Sequence, residues 1–199
     1  MTKSVLRIVV STIVMVAFAV ALISFKGHPV SQQPTNTVMA AGAAWQYCVD
    51  NGGLPLRRLP AYGTNDPNPL ILSGSQVFCQ FTSTDTSRIH VLVDTLYSTK
   101  PTLAALAYYA QEAPGTCNGN PASCYCTLLG GSDQFGGTGL AGGGWVSHDS
   151  IDHSLEACIF PDMSSIDSWG LFYYSAGIVR GADLSKISRY PNPYAKGKK

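Results

Sequence analysis

A short pattern of tyrosine, cysteine and glycine occurs twice in this chain and constrains its fold more than any other feature. Tyr-Cys at 47–48 is followed by Gly-Gly at 52–53, and Tyr-Cys at 125–126 is followed at the same spacing by Gly-Gly at 130–131. Glycine adopts the left-handed conformation that often ends a helix. Both copies therefore predict a helix that carries a cysteine near its C-terminal end and stops at the glycines.

The six cysteines follow the same repeat. The next cysteine comes 31 positions after the cysteine of the first copy and 32 positions after that of the second. A zinc site is the alternative to disulfides, but the chain has no Cys-x-x-Cys, and Cys124-x-Cys126 is too short for the usual zinc pair. The repeat favours three disulfides, with the last as a local clip: Cys48–Cys79, Cys126–Cys158 and Cys117–Cys124.

We predict an α+β fold of two repeated small α-β-β-α units tied by disulfides and preceded by an N-terminal hydrophobic helix. The units span residues 41–115 and 116–185. Hydrophobic residues make up 45% of the chain, which is enough for a buried core. Each disulfide of the repeat would tie a helix to a strand, which matters for units this small.

Side-chain periodicity indicates where the elements lie. Residues 76–81 and 88–96 alternate between the two faces of a strand, and the second of these is the strand added to the first unit. Residues 101–112 carry an apolar stripe behind a proline, which predicts a helix. The second unit is expected to contain a helix at 121–129, a strand at 155–160, and a helix at 166–175 capped by Ser164 or Ser165.

The first 26 residues predict export. Residues 8–25 carry no charge, and Lys3 and Arg7 precede them. The run is intermediate in length between the apolar region of a cleavable signal and a membrane-spanning helix, so a signal peptide and an anchor both remain open. Positive charge before the run sends the rest of the chain across the membrane. We expect an extracytoplasmic protein, secreted or anchored by residues 8–25, with residues 27–40 as a linker.

Charge is distributed unevenly along the exported part. Residues 27–185 contain 12 acidic and 5 basic side chains, whereas residues 186–199 contain 5 basic side chains and no acidic one. Binding to nucleic acid needs clustered lysine and arginine to neutralise phosphate, so an acidic body argues against that partner. We expect residues 186–199 to be a solvated basic tail, with contact to an anionic surface as the alternative.

The second unit resembles a known family through several short motifs. They are Asn-Pro-Ala-Ser at 120–123, Tyr-Cys at 125–126, Gly-Gly at 130–131, Cys-Ile-Phe-Pro-Asp at 158–162, Ser164 and Trp169. Together they are similar to a small secreted, cysteine-containing domain of unknown function whose members carry a hemolysin label. The first unit would be a diverged copy in tandem. The resemblance implies an exported, compact, cysteine-tied domain, and it implies no established activity.

The densest polar cluster, residues 148–156, is the candidate functional site. His148, Asp152 and His153 could hold a ligand or a divalent ion, and the alternative is a solvated polar turn. Trp145, beside a glycine-rich run, is the aromatic residue best suited to contact a ligand, whereas Trp45 and Trp169 are expected in the core. We assign no catalytic residue, no metal ligand and no cofactor.

Two classes of function agree with these features. The leading hypothesis is an exported, disulfide-stabilised binding or structural module of the cell envelope, whose partner is a glycan or a protein. The alternative is an extracytoplasmic hydrolase or metal-dependent enzyme that uses the 148–156 loop. Membrane damage is a third option, implied by the hemolysin label alone. An uncleaved N-terminal helix would add the membrane as a partner, and the oligomeric state stays open.

Overall fold

The computed structural model describes residues 35–64, 68–133, 143–147 and 153–195. The predicted hydrophobic helix at 8–25 lies outside the described residues, as do His148 and Asp152. Within the described part of the chain, no helix is long and apolar enough to span a bilayer.

Helices and strands occur in separate runs along the chain, which is the α+β class that the sequence predicts. The helices are α1 (Thr35–Asp50), α2 (Val93–Tyr97), α3 (Leu103–Ala110), α4 (Pro121–Leu128), α5 (Ser168–Ser175) and α6 (Leu184–Ile187). The strands are β1 (Leu54–Tyr62), β2 (Leu70–Ile71), β3 (Gln76–Thr82), β4 (Arg88–Leu92), β5 (Ser132–Asp133), β6 (Gly143–Val146), β7 (Ser154–Leu155), β8 (Ala157–Ile159) and β9 (Ser165–Asp167).

The strands form one antiparallel sheet in the order β5-β8-β9-β4-β3-β1-β6-β7, with β2 beside β1. Strand β1 is long enough to pair with β3 through its first half and with β6 through its second half. The two predicted units meet at two strand pairings: β1 with β6, and β4 with β9, where Val91 lies opposite Ile166. The units therefore share one sheet.

Strands from the two halves follow a mirrored order about this central pair. On one side lie β4, β3 and β1, and on the other lie β9, β8 and β5. A single row of residues crosses the sheet from Cys79 through Val91 and Ile166 to Cys158. All four side chains are buried and belong to the main core cluster, which α1 to α6 cover.

Three disulfides tie helices and strands together. They are Cys48–Cys79, Cys117–Cys124 and Cys126–Cys158, the same pairs that the repeat favours. The glycine turns behind α1 and α4 have the same hydrogen bond, because Gly53 N donates to Cys48 O at 2.9 Å and Gly131 N donates to Cys126 O at 2.9 Å. The preceding Gly52 has φ +79°, in the left-handed region that the sequence predicts for it.

Strand β4 is shorter than the predicted strand at 88–96. It ends at Leu92, and residues 93–97 form α2. The buried apolar residues Val93 and Leu96 of α2 are three residues apart, which is helical spacing. The strand expected over 88–96 is therefore corrected to β4 followed by α2.

The helix predicted at 166–175 begins two residues later. Residues 165–167 pair with β8 and β4 as β9, so the expected caps Ser164 and Ser165 do not cap the helix. Asp167 caps α5 instead, since its Oδ1 accepts a hydrogen bond from Gly170 N at 2.9 Å. Pairing with the neighbouring strand β8 and the distant strand β4 overrides the local helical pattern here.

Two further expectations differ from the structure. Trp45 is 41% exposed, because Ala44 and Cys48, four residues apart, form the buried side of α1. The basic tail predicted from residue 186 begins inside the folded unit: Tyr47 Oη donates to Ile187 O at 2.6 Å, and the Arg189 guanidinium lies 4.2 Å from the Tyr97 ring centroid.

Candidate functional site

A polar cavity of about 200 Å³ opens on the face of the sheet opposite the disulfide core. Its lining includes two arginines, a histidine, two carboxylates and an indole. The residues are Arg88, His90, Ser154, Leu155, Glu156, Asp167, Trp169 and Arg180.

His90 and Asp167 meet at the floor of this cavity because β4 and β9 are antiparallel neighbours. Successive side chains of a strand point to opposite faces. Since Val91 and Ile166 point into the disulfide core, His90 and Asp167 project to the other face. His90 Nδ1 lies 3.0 Å from Asp167 Oδ2, and both residues are buried.

Arg58 approaches the same histidine from β1 and is fully buried. Its Nη1 donates to Trp145 O at 3.2 Å, and its Nη2 lies 3.2 Å from His90 Nε2. Gln80 Oε1 lies 3.0 Å from the same Nε2. Burying a cation and a carboxylate is costly unless they are paired and hydrogen-bonded, and here His90 lies between them.

This arrangement does not suit nucleophilic catalysis through His90. A catalytic histidine held by a carboxylate uses its other ring nitrogen to accept a proton from the nucleophile. In this chain, His90 Nε2 faces Gln80 and Arg58, and the imidazole is only 2% exposed. The geometry favours a rigid polar floor for binding.

Glu156 forms the second polar centre, on the wall of the cavity. The Asn120 side-chain amide donates to its two oxygens at 2.9 and 3.1 Å, and Trp169 Nε1 donates to Oε2 at 2.9 Å. Ser123 Oγ lies 2.9 Å from Oε1. Glu156 is buried, so these contacts replace the water that its charge would lose. They also hold the Trp169 indole in one orientation.

Asp162 and Ser164, two further residues of the family-like motif, bind the first turn of α3. Asp162 Oδ2 accepts a hydrogen bond from Leu103 N at 2.8 Å, and Ser164 Oγ accepts one from Ala104 N at 2.9 Å. These N–H groups belong to the first turn of α3, which has no partners for them within the helix. The Phe-Pro-Asp-x-Ser turn therefore caps α3 across a long sequence separation.

Two arginines border the cavity. Arg88 is the first residue of β4, and Arg180 precedes Gly181, whose N–H donates to Ser87 Oγ at 3.2 Å. Gly181 has φ +63°, and a Cβ there would lie 2.3 Å from Phe81 O, so only glycine permits this close approach. The contact brings the backbone at Arg180 beside the start of β4.

Of the predicted site residues, the structure describes Trp145 and His153. The Trp145 ring is partly buried with its centroid 5.7 Å from that of Phe78, and His153 is exposed with Nδ1 3.1 Å from Ser147 O. Neither lines the cavity, whereas Glu156, the last residue of the predicted 148–156 cluster, does. Among the described residues, no group of three or more His, Cys, Asp or Glu side chains could hold a metal ion.

Sequence reasoning missed His90, Asp167, Arg58 and the two arginines at the border. His90 occupies a polar position of an alternating strand, which is the usual place for a solvent-facing residue. Strands β6 and β7 extend the sheet beyond β1, and their Trp145 and Leu155 pack with Phe78 and Leu92 on His90's face. No pattern within β4 predicts that residues of β6 and β7 bury this face of the strand.

Comparison with known proteins finds no family model, no curated protein and no solved structure that matches this chain. The resemblance of the second half to the hemolysin-labelled domain therefore stays a prediction.

Proposed function

We propose that this chain is an exported, disulfide-stabilised binding module of the cell envelope, and that it binds a small polar ligand in the cavity between Arg88 and Trp169. The observation that carries the proposal is the buried polar row of Gln80, His90 and Asp167. A fold does not gain stability by burying charged groups in place of apolar ones. Such a row indicates a site.

The mirrored order of the sheet supports this argument. Relative to the central Val91–Ile166 pair, the positions that mirror Gln80, His90 and Asp167 hold Ile159, Ser165 and Leu92. The mirrored row of the same sheet therefore carries mostly apolar residues where this row carries polar ones. The polar character of the row is therefore not required for the sheet to fold.

Export is the second part of the proposal. Three disulfides with no free cysteine are typical of oxidising compartments outside the cytoplasm. Residues 8–25 would act as the export signal or as a membrane anchor, and both forms place the cavity on the extracytoplasmic side. A glycan or a protein of the envelope would supply the ligand.

We also propose that the two halves are related copies and that the second half belongs to the hemolysin-labelled family. Matching glycine turns, disulfide spans and mirrored strands support the first statement. The second rests on motif residues that meet in space, because Asn120, Ser123 and Trp169 all contact Glu156. In this chain the motif residues cap α3 and hold Glu156 in the wall of the cavity.

The first experiment compares binding by two histidine variants. His90→Ser places at the cavity floor the residue found at the mirrored position, and His153→Ser makes the same change at an exposed histidine outside the cavity. We expect the mature protein to bind components of a panel of envelope glycans and His153→Ser to retain that binding. His90→Ser should lose binding while still folded, and its melting temperature should fall because Arg58 and Asp167 lose a buried partner. Loss in His153→Ser alone would move the site to the 148–156 loop.

A hydrolase or metal-dependent enzyme is the alternative, and one observation favours it. Ser154 and Glu156 of the 148–156 segment line the same cavity as the His90–Asp167 pair. Turnover of model esters, peptides or glycosides that is lost in Glu156→Gln would support the enzyme. Metal analysis that finds no ion, together with a melting temperature unchanged by chelator, would exclude the metal-dependent form.

A further inference from the structure

We infer that the ligand of the cavity is an acidic sugar, whose carboxylate binds between Arg88 and Arg180 and whose ring lies against Trp169. This inference rests on the proposed binding function and narrows it to one ligand class.

The two carboxylates of the cavity already have their partners. Both oxygens of Glu156 accept hydrogen bonds, from Asn120 and Trp169. Asp167 Oδ1 accepts from Gly170 N, and its Oδ2 contacts His90. These groups therefore have little capacity left for a cationic ligand, although acidic side chains outnumber basic ones in the body of the chain.

Two arginines of the cavity lining, Arg88 and Arg180, supply hydrogen-bond donors. The Ser87–Gly181 hydrogen bond brings Arg180 beside Arg88, and the Arg180 guanidinium is steadied by the Tyr173 ring, 5.1 Å from its centroid. Two guanidinium groups in one cavity lining attract an anion, and a guanidinium can donate two parallel hydrogen bonds to a carboxylate.

Ser154 supplies a further polar atom. Its Oγ is buried on the cavity lining, and within the part of the chain that the structure describes it has no hydrogen-bond partner. A buried hydroxyl without a partner costs free energy. A ligand hydroxyl in the cavity would satisfy it.

Trp169 provides the surface for the body of the ligand. Glu156 fixes one edge of the indole, and the Tyr173 ring packs with its centroid 5.8 Å away. The negative face of an aromatic ring attracts the partly positive C–H groups on one face of a pyranose. The cavity, about 200 Å³, is smaller than the ~300–1,000 Å³ of sites for drug-sized ligands, which fits a single sugar unit.

The test uses three sugars that share a scaffold and differ in charge: glucuronate, glucose and glucosamine. Binding to the mature protein is measured by chemical-shift titration at two salt concentrations. We expect glucuronate to bind most tightly and to weaken as salt rises, because exposed charge pairs are screened. Arg180→Gln should weaken glucuronate binding by about tenfold or more, and Arg180→Lys by less, since lysine cannot form the paired hydrogen bonds.

Arg189→Gln is the matched control. Arg189 also lies over a tyrosine ring, that of Tyr97 at 4.2 Å, but it does not line the cavity. Its glucuronate binding should stay within about twofold of the original. An equal loss in both variants would overturn the assignment of Arg180.

The remaining outcomes separate the inference from the proposed function. Glucose or glucosamine bound as tightly as glucuronate, with shifts at the Trp169 indole, would overturn the acidic class and leave the binding function standing. No shift with any of the three sugars, together with no binding to the envelope glycan panel, would overturn both.

Discussion

At Gly53 and Gly131 the backbone passes directly over a disulfide. A Cβ on Gly53 would lie 2.3 Å from Cys79 Sγ and 2.9 Å from Cys48 Sγ, and one on Gly131 would lie 2.4 Å from Cys158 Sγ. The second glycine of each Gly-Gly pair is thus required by packing, whereas the first is required by its left-handed backbone.

Alanine at either position should therefore destabilise the protein. We expect Gly53→Ala and Gly131→Ala each to lower the free energy of unfolding by about 1–3 kcal/mol, since the disulfide cannot move aside. Gly42→Ala is the control: Gly42 lies in α1 with nothing within 4 Å of a new Cβ. Helix propensity predicts a gain of up to about 1 kcal/mol there. Denaturant unfolding measures all three, and a neutral Gly131→Ala would contradict the packing argument.

At the scale of elements, α3 is held at its start by a turn that lies far away in sequence. Burial raises the pKa of Asp162, but hydrogen bonds from Ser164 and from Leu103 N outweigh burial and hold the pKa below its ordinary value of 3.8. Ionisation of the Asp162 carboxyl group is therefore more favourable in the folded protein than in the unfolded chain, so the ionised group stabilises the fold. Its contribution is present above the unfolded pKa and is lost as the pH falls through the folded pKa.

Asp162→Asn should lower the free energy of unfolding by about 1 kcal/mol at neutral pH, because one carboxylate oxygen that accepts hydrogen bonds is replaced by a donor. The difference from the original protein should shrink below about pH 4. Asp94→Asn, at an exposed aspartate in α2, is the charge-matched control and should have a smaller effect. A difference that stays constant from pH 7 to pH 2 would argue against the carboxylate as the cap.

At the scale of the whole molecule, the two halves are joined through the β4–β9 pair. Val91 and Ile166 are each 1% exposed and share the main core with both long-span disulfides. The β1–β6 pairing also joins the halves, and Tyr108 of α3 stacks on Tyr174 of α5 with ring centroids 3.8 Å apart. Because the two halves share one continuous buried core, we predict that neither half unfolds alone.

We expect one cooperative unfolding transition for the original protein and for Ile166→Ala, which should lose about 2–5 kcal/mol. Fluorescence of variants that retain only Trp45 or only Trp169 reports on the two halves separately, and their midpoints should coincide. Ile178→Ala removes an apolar side chain that is 51% exposed and should change stability by less than about 0.5 kcal/mol. Two separate transitions would show that the halves are independent domains.

Features carried by short stretches of this chain could be read from its sequence. The helices before both Gly-Gly pairs, the helix after Pro101 and the cysteine spacing depend on neighbours along the chain. The end of β4 at Leu92 and the start of α5 at Ser168 could not be read, because buried contacts with distant strands decide them. The site was missed for the same reason: Arg58, His90 and Asp167 come from three separate strands.

By itself the sequence determined the α+β class, the glycine turns and a pattern of cysteines that suits three disulfides, because backbone preference and spacing act locally. The tertiary structure decided which faces of the strands are covered. Pairing of β4 with β9 places His90 against Asp167, and the packing of β6 and β7 over that face turns a polar strand position into the floor of a cavity. Such contacts depend on burial shared between residues far apart in the chain, which leaves no periodic signal.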